Sequence, residues 1–168
     1  VINAYVRALA IDPATPTILY AGTDGGGVFK KTSSKDWGMI NTGLASTMVR
    51  TLVIDPTTPT TVYAGTNGGG VFKSTNGGEN WSAVNTGLAN EWVVALAIDP
   101  VTPTTLYAGT IGSGVFKSMN SGGSWNAVNA GLTTSVVVAL AIDPLTPTIL
   151  YAGTNVGGVF KSMNSGGN

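Results

Sequence analysis

The tetrapeptide Tyr20-Ala21-Gly22-Thr23 occurs four times in this chain of 168 residues, at intervals of 43 or 44 residues. Two further motifs, Ile-Asp-Pro and Gly-Val-Phe-Lys, keep the same interval. The other tetrapeptides begin at Tyr63, Tyr107 and Tyr151, the aspartates are Asp12, Asp55, Asp99 and Asp143, and the phenylalanines are Phe29, Phe72, Phe116 and Phe160. Three motifs with one interval indicate four structural repeats that cover the whole chain.

Each repeat contains four short segments that are typical of β-strands, with turn residues between them. In the third repeat, residues 93–98 form a continuous apolar run, which suits a strand buried on both faces. Asp99-Pro100 ends this run, because proline cannot donate to a β-ladder. Residues 105–109 give a second strand, and glycine-rich turns lead to two more, at 71–74 and 81–85 in the second repeat. No segment has a helical period, so the predicted fold is all-β.

Four strands in about 44 residues match the size of a β-propeller blade. The sequence therefore predicts a single domain, residues 1–168, with blades at residues 1–44, 45–88, 89–132 and 133–168. A β-solenoid is the competing architecture, although its repeats are normally shorter. The final repeat stops before the segment that would form its outer strand, so the last blade is expected to lack that strand.

These four blades are expected to associate with others, because the end blades would otherwise expose apolar faces and strand edges. The alternatives are an excerpt of a longer array, two copies that form an eight-bladed ring, and an open head-to-tail assembly. The surface also favours association, since only 10% of the residues are charged and the formal net charge is zero.

The composition excludes several classes of function. The chain has no cysteine and no histidine, which removes disulfide scaffolds, Cys/His zinc sites and histidine-based triads. The 8 basic residues are balanced by 8 acidic residues and form no basic run, which argues against a nucleic-acid partner. No apolar run approaches the roughly 18 residues of a membrane-spanning helix. Neither a cofactor nor a metal is expected.

The turn that follows Lys73 resembles the Asp-box, a Ser-x-Asp-x-Gly-x-Thr-Trp motif. With its other repeated motifs, the chain is similar to the BNR/Asp-box propellers, a superfamily that includes sialidases, xyloglucan-degrading glycosidases, sortilin-type receptors and photosystem II assembly factors. The matching residues are Ser74, Asn76, Gly78, Trp81, Ser118, Asn120, Gly122, Trp125, Ser162, Asn164 and Gly166. Asparagine stands at the aspartate position, and the first repeat has a shorter, degenerate turn.

The resemblance implies that this turn is structural and that the protein is secreted or lies at the cell surface. A turn of this kind uses an asparagine side chain to bond its own backbone amides and glycine to supply a positive φ. The competing interpretation is a repeated ligand or Ca²⁺ site, but these turns lack the several carboxylates that Ca²⁺ needs.

The resemblance to sialidases and glycosidases raises the question of catalysis. A sialidase-like site would imply three arginines, and the chain has only Arg7 and Arg50. A glycosidase needs two opposed carboxylates. The Ile-Asp-Pro aspartates are interpreted as turn residues, and two further acids lie in the Asp-box turns. Asp24 and Glu91 remain as the only candidate pair of carboxylates, and they belong to different repeats. The sequence therefore predicts no catalytic residues and a protein that is not an enzyme.

Differences among the four repeats indicate where a ligand would bind. They concentrate in the connection before each first strand and in the turn between the second and third strands. In a four-stranded meander these connections emerge on the same face. Aromatic rings beside polar groups there suit sugar rings or a protein partner, although exposed loops also vary without function. The predicted ligand-binding residues are Tyr5, Arg7, Asp24, Met48, Arg50, Glu91 and Trp92.

The sequence thus predicts a non-enzymatic, extracellular structural or interaction module within a larger or head-to-tail assembly. Its expected partners are further copies of the chain or further blades of a longer chain, and its ligand is a glycan or a protein. The alternative is a fragment of a carbohydrate-active propeller, either a glycoside hydrolase or a glycan-binding module, whose acids lie outside these repeats.

Overall fold

The computed structural model describes residues 4–167 and shows four antiparallel sheets in them. The first sheet consists of β1 (Val6–Ile11), β2 (Leu19–Thr23), β3 (Gly27–Lys31) and β4 (Gly38–Met39). The second consists of β5 (Val49–Ile54), β6 (Val62–Thr66), β7 (Gly70–Ser74) and β8 (Ser82–Ala83). The third consists of β9 (Val93–Ile98), β10 (Leu106–Thr110), β11 (Val115–Ser118) and β12 (Asn126–Ala127). The fourth consists of β13 (Val137–Ile142), β14 (Leu150–Thr154) and β15 (Val159–Ser162).

Each sheet is a meander in which the strands pair in chain order, as in a propeller blade. The predicted all-β fold class of four blades, the last with three strands, is confirmed. The first strand of the third blade begins and ends where its apolar run does. The fourth strands are shorter than predicted, since β8 has two residues instead of five. The Trp81 amide donates to the Thr42 carbonyl of the preceding blade at 2.8 Å, so it is not available to the sheet.

The aspartates of the Ile-Asp-Pro motif are turn residues, as the sequence predicts. Asp12 Oδ1 accepts hydrogen bonds from the amides of Ala14 and Thr15, both at 2.9 Å. The aspartates at positions 55, 99 and 143 accept the equivalent pair of bonds in their own blades. An aspartate that bonds the amides two and three residues ahead closes the turn and fixes where the next strand begins.

Neighbouring blades pack face to face, and the core lies between them. We call the side of a blade that packs on the preceding blade its leading face, and the opposite side its trailing face. Leu52 and Ile54 on the leading face of the second blade are 7% and 9% exposed, in one cluster with Tyr20 and Val28 on the trailing face of the first. Full burial of one such side chain contributes about 1.5–3 kcal/mol.

A pair of polar bonds completes each of these interfaces. The Tyr20 hydroxyl and the Lys30 ammonium both donate to the Gly77 carbonyl of the next blade, at 3.3 and 2.9 Å. The equivalent tyrosines and lysines of the second and third blades donate to the carbonyls of Ser121 and Ser165. The tyrosines are therefore buried without leaving their hydroxyls unpaired.

The two outermost faces differ from these interfaces in exposure. On the leading face of the first blade, Leu9 and Ile11 are 66% and 58% exposed. On the trailing face of the last blade, Val159 is 74% exposed, whereas its counterpart Val71 is fully buried. Over residues 4–167, both ends of the blade series present the kind of apolar face that the chain buries between its own blades. None of these residues forms a helix with the length and apolarity needed to cross a membrane.

Candidate functional site

The variable connections lie together along one edge of the blades. We call this edge the rim; it comprises residues 4–5, 45–48, 89–92 and 133–136 and the turns at 24–26, 67–69, 111–113 and 155–157. The amides of Gly25 and Gly27 donate to the Thr47 carbonyl of the next blade, at 3.1 and 2.9 Å. Glu91 and Ser135 accept the equivalent pairs of bonds at the next two junctions. The rim is therefore held by backbone bonds that do not depend on its side chains.

Three apolar side chains among the predicted ligand-binding residues are exposed on this rim. Tyr5 is 81% exposed, Trp92 is 50% exposed and Met48 is 40% exposed. Isolated β-bridges join Asp24 to Met48 and Asn67 to Trp92, so each of these two side chains sits beside the turn of the preceding blade. Large exposed side chains on a rigid backbone offer contact area at little cost in entropy.

Three of the four charged residues of the predicted site, Arg7, Asp24 and Arg50, form a cluster at the first junction. Asp24 Oδ2 accepts a hydrogen bond from Arg7 Nη2 at 2.9 Å and lies 3.4 Å from Arg50 Nη1. Two guanidinium groups thus share one carboxylate, and the cluster carries a net positive charge. The side chains remain 21–48% exposed, so the cluster can still offer donors to a ligand.

Arg7 and Arg50 also line a central cavity. The first strands of all four blades border this cavity of about 370 Å³, with Val94 and Val138 at the positions equivalent to the arginines. The first two blades therefore give the cavity a charged side and the last two an apolar side.

Glu91 lies apart from the charged cluster. Its side chain is exposed, and its backbone carbonyl accepts the amides of Gly68 and Gly70 at 3.1 and 2.8 Å. Asp24 is held by two arginines of its own junction, so the structure does not show the two acids acting as a pair. Within the part of the chain that the structure describes, no group of three or more acidic residues is placed to hold a metal ion.

Sequence reasoning missed one residue of the rim, Asn67. Its side-chain oxygen is buried and has no hydrogen-bond partner among the described residues. Its backbone amide donates to the Met48 carbonyl at 2.9 Å, and its backbone forms a β-bridge with Trp92. Asn67 therefore lies between two predicted site residues. The sequence signal was present, because Asn67 occupies the same variable turn position as Asp24.

The turns that resemble the Asp-box share one hydrogen-bond pattern. Ser74 Oγ donates to Asn76 Oδ1 and accepts from the Gly78 amide, both at 2.9 Å, and Asn76 Oδ1 also accepts from the Asn80 amide at 3.0 Å. The serines at positions 118 and 162 repeat the first two bonds. In each turn the asparagine oxygen is occupied by the turn itself.

Comparison with known proteins gives structural neighbours only; no protein-family model and no curated protein sequence matches the chain. An ancestral GH74 enzyme superimposes with a TM-score of 0.81 at 25% identity, over 96% of this chain and 23% of the enzyme. The GH74 xyloglucanase of Xanthomonas campestris superimposes with a TM-score of 0.79 at 19% identity, and the match covers 98% of this chain and 30% of the xyloglucanase. The extracellular domain of a one-component system of B. thetaiotaomicron superimposes with a TM-score of 0.72 at 18% sequence identity. The match covers 94% of this chain and 20% of that domain's chain.

This chain has a β-propeller fold. The chain spans less than a third of the length of each of these structures. The prediction that the protein is not an enzyme is contradicted, because the strong structural matches are GH74 glycoside hydrolases. That prediction rested on the acids and arginines within four repeats, and these repeats correspond to only part of such an enzyme.

Proposed function

We propose that this chain is a four-bladed part of a carbohydrate-active propeller and that its rim binds a glycan. The similarity to a GH74 enzyme, at 25% identity and a TM-score of 0.81, is the observation that carries the proposal. The extracellular domain among the structural neighbours and the GH74 enzymes together favour an extracellular location.

The rim has the chemistry that sugar binding requires. A pyranose ring presents an apolar face that stacks on an exposed aromatic ring, and Trp92 and Tyr5 offer such rings. Its hydroxyls need donors and acceptors at fixed positions, which Arg7, Arg50 and Asp24 supply as a preformed cluster. We propose the seven predicted residues, together with Asn67, as the glycan-binding surface.

The experiment titrates the chain with xyloglucan oligosaccharides and follows binding by calorimetry and tryptophan fluorescence. We expect Trp92→Ala to weaken binding by about tenfold or more, as for a central aromatic contact. The control is Leu145→Ala, which also truncates an exposed apolar side chain to alanine, at a residue that is 92% exposed at the opposite end of the strands. Binding that is unchanged by Trp92→Ala, or no binding at all, contradicts the proposal.

We further propose that the repeats are blades of the BNR/Asp-box type, with boundaries near residues 44, 88 and 132. The common turn pattern of Ser74, Ser118 and Ser162 supports this assignment. Both outer faces would then pack on further blades of the same kind, from another copy of the chain or a longer one. The exposed Leu9, Ile11 and Val159 support this packing, because their counterparts in the second blade, Leu52, Ile54 and Val71, are buried.

A further inference from the structure

Trp92 differs from the residues at the same position of the neighbouring blades in how its backbone is held. Its carbonyl accepts the Ile111 amide at 3.0 Å, and the carbonyls of Met48 and Val136 accept the equivalent bonds at 2.9 and 3.2 Å. The Trp92 amide is also bonded, because it donates to Asn90 Oδ1 at 2.7 Å. Over residues 4–167, the amides of Met48 and Val136 have no such partner. The bond to Asn90 is therefore specific to Trp92 among these three residues.

Asn90 uses both polar atoms of its side-chain amide. While Oδ1 accepts from the Trp92 amide, Nδ2 donates to the Ile111 carbonyl at 2.9 Å. Because the Ile111 amide in turn donates to the Trp92 carbonyl, the three residues form a closed set of hydrogen bonds. A carboxamide suits this place, since it is a donor and an acceptor at once. The Trp92 backbone is therefore fixed at both its amide and its carbonyl.

The residues equivalent to Asn90 in the neighbouring blades do not combine these two bonds. Ser46 Oγ donates to the Asn67 carbonyl at 3.1 Å, which corresponds to the bond from Asn90 to Ile111. Thr134 forms neither bond within the part of the chain that the structure describes. The residues two positions further on are methionine and valine in these blades and tryptophan after Asn90. The second bond therefore coincides with the aromatic ring.

The indole of Trp92 lies against a turn of the preceding blade. A Cβ added to Gly68 would lie 3.8 Å from Trp92 Nε1, which is an ordinary van der Waals distance. The β-bridge between Asn67 and Trp92 brings the two segments to this spacing. Trp92 is nevertheless 50% exposed. The ring is thus supported by a turn whose glycine has no side chain to cover it, and half of the residue's surface stays open to solvent.

We infer that Asn90 is a positioning residue, which holds the Trp92 indole in place on the rim before a sugar arrives. The inference rests on the proposed glycan-binding role of Trp92, since a pyranose stacks on an aromatic ring. A ring that is already ordered spares the entropy that binding would otherwise lose in ordering it. Asn90 acts through Trp92 and is not itself a contact of the ligand.

The first test asks whether Asn90 orders the indole in the absence of any sugar. The full chain is labelled with fluorotryptophan, and the fluorine NMR signal of Trp92 is identified by its absence from Trp92→Phe. We expect Asn90→Ala to move this signal towards its position in the urea-unfolded chain, because the ring becomes mobile. The signals of the buried Trp81 and Trp125 should stay in place, which shows that the variant is folded. A Trp92 signal that does not move overturns the inference, whether or not a glycan binds.

Two further variants separate the amide bond from a general effect of truncation. Thr134→Ala shortens the side chain at the equivalent position of the next blade and is expected to leave the Trp92 signal unchanged. Asn90→Ser keeps a hydroxyl for the Ile111 carbonyl, as Ser46 does for Asn67, but removes the acceptor of the Trp92 amide. It should move the signal as Asn90→Ala does. An unchanged signal in Asn90→Ser overturns the inference, because the bond to the Trp92 amide is then not what holds the ring.

The second test measures binding of xyloglucan oligosaccharides by calorimetry. We expect Asn90→Ala to weaken binding by about two- to tenfold while Trp92 is still present, as ordering one side chain on binding costs. In the Trp92→Ala background, Asn90→Ala should cause no further loss, because Asn90 acts only through the ring. A further loss in that background overturns the positioning role. Absence of binding by the wild type, together with a Trp92 signal that moves in Asn90→Ala, contradicts the proposed function and leaves the positioning role supported.

Discussion

Arg50 of the second blade and Asp24 of the first form an ion pair across the rim, with 3.4 Å between Nη1 and Oδ2. Because Arg7 bonds the same oxygen at 2.9 Å, one carboxylate joins two blades. We predict that Asp24→Asn lowers the free energy of unfolding by about 1 kcal/mol, since partly exposed pairs contribute little. Urea denaturation at low and high salt measures this change, which should shrink as salt screens the charges.

The control for this prediction is Asp36→Asn. Asp36 Oδ1 lies 3.7 Å from Lys31 Nζ, and the Asp36 side chain is 73% exposed. An equal loss of stability in the two variants would mean that the Asp24 cluster does not link the blades.

Burial of Tyr20 predicts a loss of stability in alkaline solution. Desolvation between the first two blades, with a smaller contribution from the charge of Asp12, raises the Tyr20 pKa from 10.0 to about 12. A raised pKa favours the neutral phenol in the folded state, so its contribution is fully present below pH 10 and is lost between pH 10 and about 12. Burial also raises the pKa of Tyr63.

The measurement is urea unfolding at pH 9 and pH 11 for the wild type and for Tyr20→Phe. We expect the free energy of unfolding to fall more over this range in the wild type, because phenylalanine cannot ionise. The same pH dependence in both proteins would show that Tyr20 is not the group responsible.

The Asp-box-like turns provide a graded test at equivalent serines. Ser74 is 1% exposed, and its Oγ accepts a hydrogen bond from the buried backbone amide of Gly78 at 2.9 Å. Ser74→Ala leaves that amide unpaired, and we predict a loss of about 1–3 kcal/mol. Ser162→Ala removes the same bond in the more exposed turn of the last blade, where water replaces it, and should cost less. Chemical denaturation of the two variants checks the order.

The repeat pattern was sufficient to predict the sheets, their order and the turn role of Asp12, because these depend on interactions within one repeat. It also identified the exposed Trp92 and Tyr5 by their departure from the repeat. The ion pairs of Asp24 and the orphaned oxygen of Asn67 could not be predicted, since they depend on how neighbouring blades are set against each other. The two-residue length of β8 has the same cause, because Trp81 bonds the preceding blade.

Equivalent leucines on the first two blades should respond differently to substitution. Leu9 is 66% exposed on the first leading face, whereas Leu52 is 7% exposed at the first interface. We predict that Leu52→Ala lowers the free energy of unfolding by about 2–5 kcal/mol and that Leu9→Ala changes it much less. Sedimentation velocity extends the test, since Leu9→Lys should reduce any self-association through this face. A monomeric wild type would exclude a second copy as the source of the covering blade.

Two equivalent glycines separate backbone strain from contact with tryptophan. Gly87 and Gly131 have φ of 81° and 76°, so alanine at either position costs about 1–2 kcal/mol of backbone strain. Only at Gly87 would the new methyl group also fall on the Trp125 carbonyl oxygen. We therefore predict that Gly87→Ala destabilises the chain clearly more than Gly131→Ala, as measured by urea denaturation. An equal loss of stability in the two variants would mean that the close approach of Gly87 to the Trp125 carbonyl does not constrain this position.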